Sequence, residues 1–164
     1  MLVAGSRANA VPADRAATLT RSQTTGRYFV NFRSRPGYLF GHTFIVLGRF
    51  DPARGPRELQ YAGIYPLDGQ RGLIIGSVVP VRASIRGVEE DFNKRPNNIY
   101  RRALTAREYA FLSTALKQAR MRSWKWHLVF ANCNDFAIST AKLLGLRTPS
   151  SWLLPPSLSP SYAC

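Results

Sequence analysis

The sequence predicts one α+β domain in which an antiparallel sheet of four to six strands packs against a helix over residues 133–144. Three observations carry this. Runs of β-branched and aromatic residues cluster between 28 and 85, helical spacing appears only between 105 and 144, and the two do not alternate. Strands gathered before helices mark α+β rather than a doubly wound parallel fold. A length of 164 residues fits one domain, and 45% hydrophobic content is enough to build a core.

The elements follow in order. Residues 1–26 are rich in Ala, Ser, Thr and Arg without periodicity and are expected to form a mobile arm. The start MLVAGSRANAVPA lacks the basic region and apolar stretch of a signal peptide. Tyr28 to Phe32 reads as a strand, and Pro36-Gly37 as a turn. GHTFIVLGRF (41–50) is a second strand, DPARGP (51–56) a loop, and ELQYAGIYP (58–66) the return strand of a hairpin. Gly63 leaves room for another backbone to approach. LIIGSVVPVRASI (73–85) predicts one or two further strands, with Pro80 at an edge or bulge. Residues 86–98 are polar and read as a loop.

Thr105-Ala106-Arg107-Glu108 has the form of a capping box. Tyr109, Leu112, Leu116 and Ala119 then recur at helical spacing to about Met121. A second helix begins at Asn132 or Cys133 and ends at Gly145, with Pro149 beyond it. The domain thus spans 27–150, and a Pro-rich tail over 151–164 wraps its surface. No repeat is present. No window approaches the ~18 consecutive apolar residues of a transmembrane helix. These features leave the compartment open, the cell envelope and secretion included.

Charge is the unusual quantity: 23 Lys and Arg against 9 Asp and Glu, a net +14. Such a balance suits an anionic cell wall, an anionic membrane or nucleic acid. The chain carries no zinc-finger spacing, KH loop or RNA-recognition signature, so the case for a nucleic-acid-binding module is charge alone. Two cysteines, Cys133 and Cys164, make neither a disulfide framework nor a zinc quartet.

Cys133 is the candidate nucleophile. It lies between the apolar run Trp126, Leu128, Phe130 and the second helix, which puts its thiol at a helix N-terminus. Free amides and the positive dipole end favour thiolate there and can hold an oxyanion. The expected thiol pKa is therefore below the ~8.5 of free cysteine. The base must be His42 or His127. His127 is six residues before Cys133, a span of roughly 20 Å if extended. His42 opens the strand Gly41-His42-Thr43-Phe44 and approaches from another element, so it is the favoured base.

These residues together resemble a family. A histidine opening a hydrophobic strand (GHTFIVLG), a second strand behind a loop (LQYAGIYP), and Asn-Cys-x-x-Phe heading a helix that ends Leu-Gly-Leu are similar to the permuted papain-like cysteine hydrolases. These are the NlpC-type proteins and relatives of lecithin:retinol acyltransferase. In that group the histidine precedes the cysteine, as His42 precedes Cys133, and the similarity covers residues 28–150. The resemblance implies a third polar residue on the strand after the histidine, orienting the ring. Gln60 is the choice, since its amide oxygen can accept from the imidazole, with Tyr61 the competitor on the opposite face. It also gives Asn132 a position next to the acyl oxygen, although Asn132 suits helix capping better.

The resemblance implies thiol-dependent acyl transfer needing no metal or organic cofactor. The substrate is a peptide amide such as a cell-wall cross-link, or an acyl ester or amide of a lipid. The amidase or peptidase side is preferred because no hydrophobic anchor stands out in the sequence. The rival from another class is the basic nucleic-acid-binding module, and a non-catalytic papain-like binding module is a third reading.

Overall fold

The computed structural model describes residues 27–37 and 41–148. The expected arm and tail fall outside these residues. Six strands form one sheet: β1 (Tyr28–Arg35), β2 (His42–Asp51), β3 (Gly55–Pro66), β4 (Val81–Arg86), β5 (Asn98–Leu104) and β6 (Trp124–Trp126). Their order is β5-β1-β2-β3-β4-β6, antiparallel at every pairing. Four helices are present among the described residues: α1 (Gly69–Ile75), α2 (Glu89–Asn93), α3 (Ala106–Arg120) and α4 (Cys133–Leu143). The α+β class and the antiparallel sheet are as the sequence predicted.

Three segments differ. Leu73, Ile74 and Ile75 lie in α1 rather than in a strand. β-branched residues favour strands mainly because they pack on a pleated, half-buried surface, and Ile74 and Ile75 are instead exposed. The predicted loop 86–98 contains α2, and Asn98 begins the edge strand β5. The sequence of β5, NIYRRAL, is too polar to read as a strand. Its charge suits an edge, where cations discourage pairing with another chain.

One face of the sheet carries the main core. Val30 and Phe32 of β1, Ile45 and Leu47 of β2, and Ala62 and Ile64 of β3 pack with Leu112 and Leu116 of α3 and Ala137 and Ala141 of α4. Strand residues two apart share a face, so Thr43 joins Ile45 and Leu47 on that side. The Thr43 hydroxyl donates to the Asn134 side-chain oxygen at 2.6 Å, tying β2 to the first turn of α4. Both helix starts are capped as the sequence predicts. Thr105 Oγ1 accepts the Glu108 amide at 3.2 Å, and Glu108 accepts the Thr105 amide at 2.8 Å. Asn132 Oδ1 accepts the amides of Asn134 and Asp135 at 2.8 and 3.3 Å. Gly145, at φ +70°, ends α4 in the left-handed conformation that glycine tolerates best.

β3 divides its pairing. It runs against β2 up to Ile45↔Ala62 and against β4 from Gly63 to Pro66. The sheet therefore splays where β2 begins, and the N-terminus of α4 lies against that opening.

Replacing Thr43 by Val removes the donor to Asn134 while keeping the side chain's shape. We expect a loss of about 1 kcal/mol or more, since a buried hydrogen bond is lost. Urea denaturation with an unchanged m-value checks it; a change under about 0.5 kcal/mol would mean the bond does not anchor α4.

Candidate active site

A cleft of about 580 Å³ opens at the splayed end of the sheet, and both His42 and Cys133 line it. Its walls are the start of β2, the end of β3, α1, and the segment leading into α4. Its lining includes apolar Leu73, Trp126 and Leu128 and charged Arg35, Arg86, Lys94 and Glu90, with Arg35 paired to Asp91.

Cys133 is the first residue of α4 and is only 4% exposed, so its sulfur lies deep in the cleft wall. Burial pushes the thiol pKa up. The backbone amides of Thr43, Cys133 and Asn134 pull the other way without overcoming burial, and Asp135 adds to the rise. The expected low-pKa thiol is thus not what the structure gives. The helix start supplies the amides, but tertiary packing withdraws the sulfur from water.

His42 approaches from the other face. Its ring stacks on Phe44, centroids 5.9 Å apart, and against Tyr65 at 4.4 Å. Its Nε2 is buried and has no hydrogen-bond partner among the described residues. The ring rests on Gly63, where an added Cβ would come within 2.8 Å of Nε2. The close approach that the sequence assigned to a backbone is made by an imidazole. Burial, with a smaller contribution from the nearby Arg35 charge, lowers the His42 pKa to about 3. The ring is neutral at pH 7, as a base must be. No hydrogen bond joins His42 to Cys133 among the described residues; the two share a cleft but approach it from opposite faces of the sheet.

Gln60 does not reach His42. It pairs with Leu47, five residues along β2, and its amide nitrogen donates to Ser113 Oγ at 3.1 Å on α3. The hairpin turn is tight, with Asp51 opposite Gly55, and one irregularity between Leu47 and Arg49 shifts the register. Counting onward in the same register puts Tyr65 level with His42. Tyr61 packs between Phe44 and Phe92 and has the structural role of a strand aromatic. Asn132 caps α4, and its Nδ2 donates to the Leu128 carbonyl at 2.8 Å. Asn132 thus has the helix-capping role that suits it better. His127 is buried, and its Nδ1 accepts the amides of Val129 and Phe130 at 3.1 and 3.4 Å. It organises the loop before α4.

A buried polar group that the sequence did not reveal stands behind His42. Arg35 Nε donates to Asp91 Oδ1 at 2.9 Å, and the Tyr65 hydroxyl donates to Asp91 Oδ2. Asp91 is itself held by the Val88 amide at 3.2 Å. Burial, reinforced by the Asp91 charge, pushes the Tyr65 pKa up, so the phenol stays protonated. A register count from the tight turn could have found Tyr65. Asp91 had no signal, because it lies in a segment that reads as a loop.

No family model, curated protein or solved structure matches this chain.

Two measurements test this electrostatic picture. With Cys164→Ala removing the second thiol, alkylation of Cys133 is expected to reach half-maximum above the ~8.5 of free cysteine; a midpoint below it would contradict the burial argument. His42 has a folded-state pKa below its unfolded one, so it stabilises the neutral-pH fold, and that stability is lost as pH falls from about 6.5 toward about 3. Over this window the wild type should lose stability more steeply than His42→Gln, by up to ~1.4 kcal/mol per pH unit. Parallel stability curves for the two proteins would contradict a buried neutral ring.

Proposed function

We propose that the protein is a cysteine-dependent hydrolase acting by acyl transfer on an amide bond, with Cys133 as nucleophile and His42 as general base. The observation that carries this is a helix-start thiol, ringed by three backbone amides, in the wall of a cleft that a neutral histidine also lines. The order of a histidine strand before a cysteine helix supports kinship with the permuted papain-like hydrolases.

Both groups are neutral at rest, so the reaction starts by proton transfer rather than from a preformed ion pair. The two side chains are not bonded at rest, so the step requires the ring and the thiol to come into contact; His42 then takes the Cys133 proton as the sulfur attacks the carbonyl carbon. The oxyanion is held by amides at the start of α4. The intermediate collapses, the C–N bond breaks, and the imidazolium protonates the leaving amine. Water, deprotonated by His42, then cleaves the thioester and restores the thiol. Tyr65, fixed by Asp91 and Arg35, holds the ring by stacking. A second substrate class, acyl esters or amides of lipids, is favoured by the apolar wall of Leu73, Trp126 and Leu128.

The test is intact-mass detection of an acyl adduct on Cys133 after incubation with cell-wall peptide fragments and, separately, with phospholipid. Cys133→Ala should abolish the adduct and turnover. His42→Gln should lower turnover by about 10²–10⁴-fold, while Gln60→Ala stays within about twofold of wild type. An adduct absent with every substrate, or turnover that survives Cys133→Ala, would sink the reading and leave the cleft as a binding cavity.

A further inference from the structure

We propose that an exposed apolar lip beside the cleft docks the protein on an anionic lipid bilayer. The lip is built from two segments. Ile74 and Ile75 end α1, Val78 and Val79 follow in the turn, and Val129 and Phe130 project from the loop before α4. All six are exposed, Val78 and Phe130 at 79% and Ile74 at 62%. The segments are fastened to each other: the Leu128 amide donates to the Gly76 carbonyl at 3.0 Å. Gly76 lies against the Trp126 ring, where an added Cβ would come within 2.5 Å of a ring carbon. Leu73 and Leu128, neighbours of these exposed residues in the chain, line the cleft. The lip thus borders the entrance rather than a remote surface.

Contiguous exposed aliphatic and aromatic side chains of this kind mark an interaction site. The surrounding charge selects the partner. Across residues 67–82 and 121–130, Arg71, Arg82, Arg122 and Lys125 face one acid, Asp68. Arg82 and Lys125 are direct partners across the β4–β6 ladder, and both are exposed. Like charges set opposite each other in a sheet repel, and neither forms an ion pair among the described residues. Anionic headgroups would neutralise them while the aliphatic residues enter the acyl boundary, which is how peripheral proteins combine apolar burial with attraction to acidic lipid. The net charge of +14 adds long-range attraction to the same surface.

The surface does not depend on the acyl-transfer reading, and vesicle binding measures it without catalysis. The full chain is sedimented with vesicles of phosphatidylglycerol and phosphatidylcholine, and with vesicles of phosphatidylcholine alone. We expect binding to the anionic vesicles, weakened about tenfold or more by Val78→Asp with Phe130→Asp. Arg82→Glu with Lys125→Glu should weaken it and flatten its salt dependence. Cys133→Ser should bind as wild type whether or not the protein proves to be a hydrolase. Melting curves check that each variant folds, and Val78→Ser with Phe130→Ser replaces the Asp pair if it does not. The proposal is overturned if no vesicle is bound, or if the lip variants bind like wild type, which would leave charge alone. It is equally overturned if light scattering shows a dimer that the lip variants dissociate while vesicle binding is unchanged, because the lip would then cover a second copy of this chain.

Discussion

The hydrogen bond between the Thr43 hydroxyl and Asn134 is the constraint on which the rest of the site depends. It joins the second residue of β2 to the second residue of α4 and is buried on both sides. A buried polar pair has few alternative arrangements, because breaking it forfeits a hydrogen bond that water cannot replace there. Fixing Asn134 fixes Cys133, the preceding residue. Fixing Thr43 fixes the strand start that carries His42. One contact therefore sets the Cys133 thiol and the His42 ring relative to each other, although they belong to elements 91 residues apart at the bonded pair.

The same contact explains why the two groups behave as they do. Thr43 must face the helix to bond Asn134, and strand alternation then turns His42 to the other side. There the ring meets Phe44, Tyr65 and the glycine surface of β3, and loses its water. Cys133, on the helix side, loses its water to the main core. Burial acts on each in the direction that keeps it neutral: down for the imidazole, up for the thiol. The amides at the helix start temper the effect on sulfur. The Arg35 charge, held in place by Asp91, accentuates it on the ring. The site is best described as a neutral thiol and a neutral imidazole lining one cleft.

The splay between β2 and β4 along β3 gives the cleft its shape. A continuous ladder would close this end of the sheet. Instead β3 changes partner at Gly63, the residue that also seats the imidazole. α1 then turns back over the end of β3, where its Gly72 lies on Pro66. The result is an opening with the thiol in its wall and a mixed lining, whose apolar residues Leu73 and Leu128 are chain neighbours of the exposed residues of α1 and the 128–130 loop.

How much of this the sequence carried depends on how local each signal is. Thr105 and Glu108 specify a helix start within four residues, and Asn132, Asp135 and Gly145 do the same for the ends of α4; such caps are legible because their partners are neighbours in the chain. The strands β1, β2 and β3 were legible from apolar runs, and their clustering gave the fold class. The run Leu73 to Val79 misled, because an aliphatic stretch looks the same whether it is buried in a sheet or exposed on a helix and turn. Gln60 misled for a different reason. The residue opposite His42 is set by the turn length and by an irregularity in the hairpin, and one shifted residue reverses a side chain's face. Asp91 and Arg35 meet across 56 residues, and no local pattern announces such a pair. The sequence by itself determined the strands β1 to β3, the helices α3 and α4 with their caps, and which thiol and imidazole to examine. The tertiary structure decided their faces, burial and charge state, because these depend on which distant side chains exclude water.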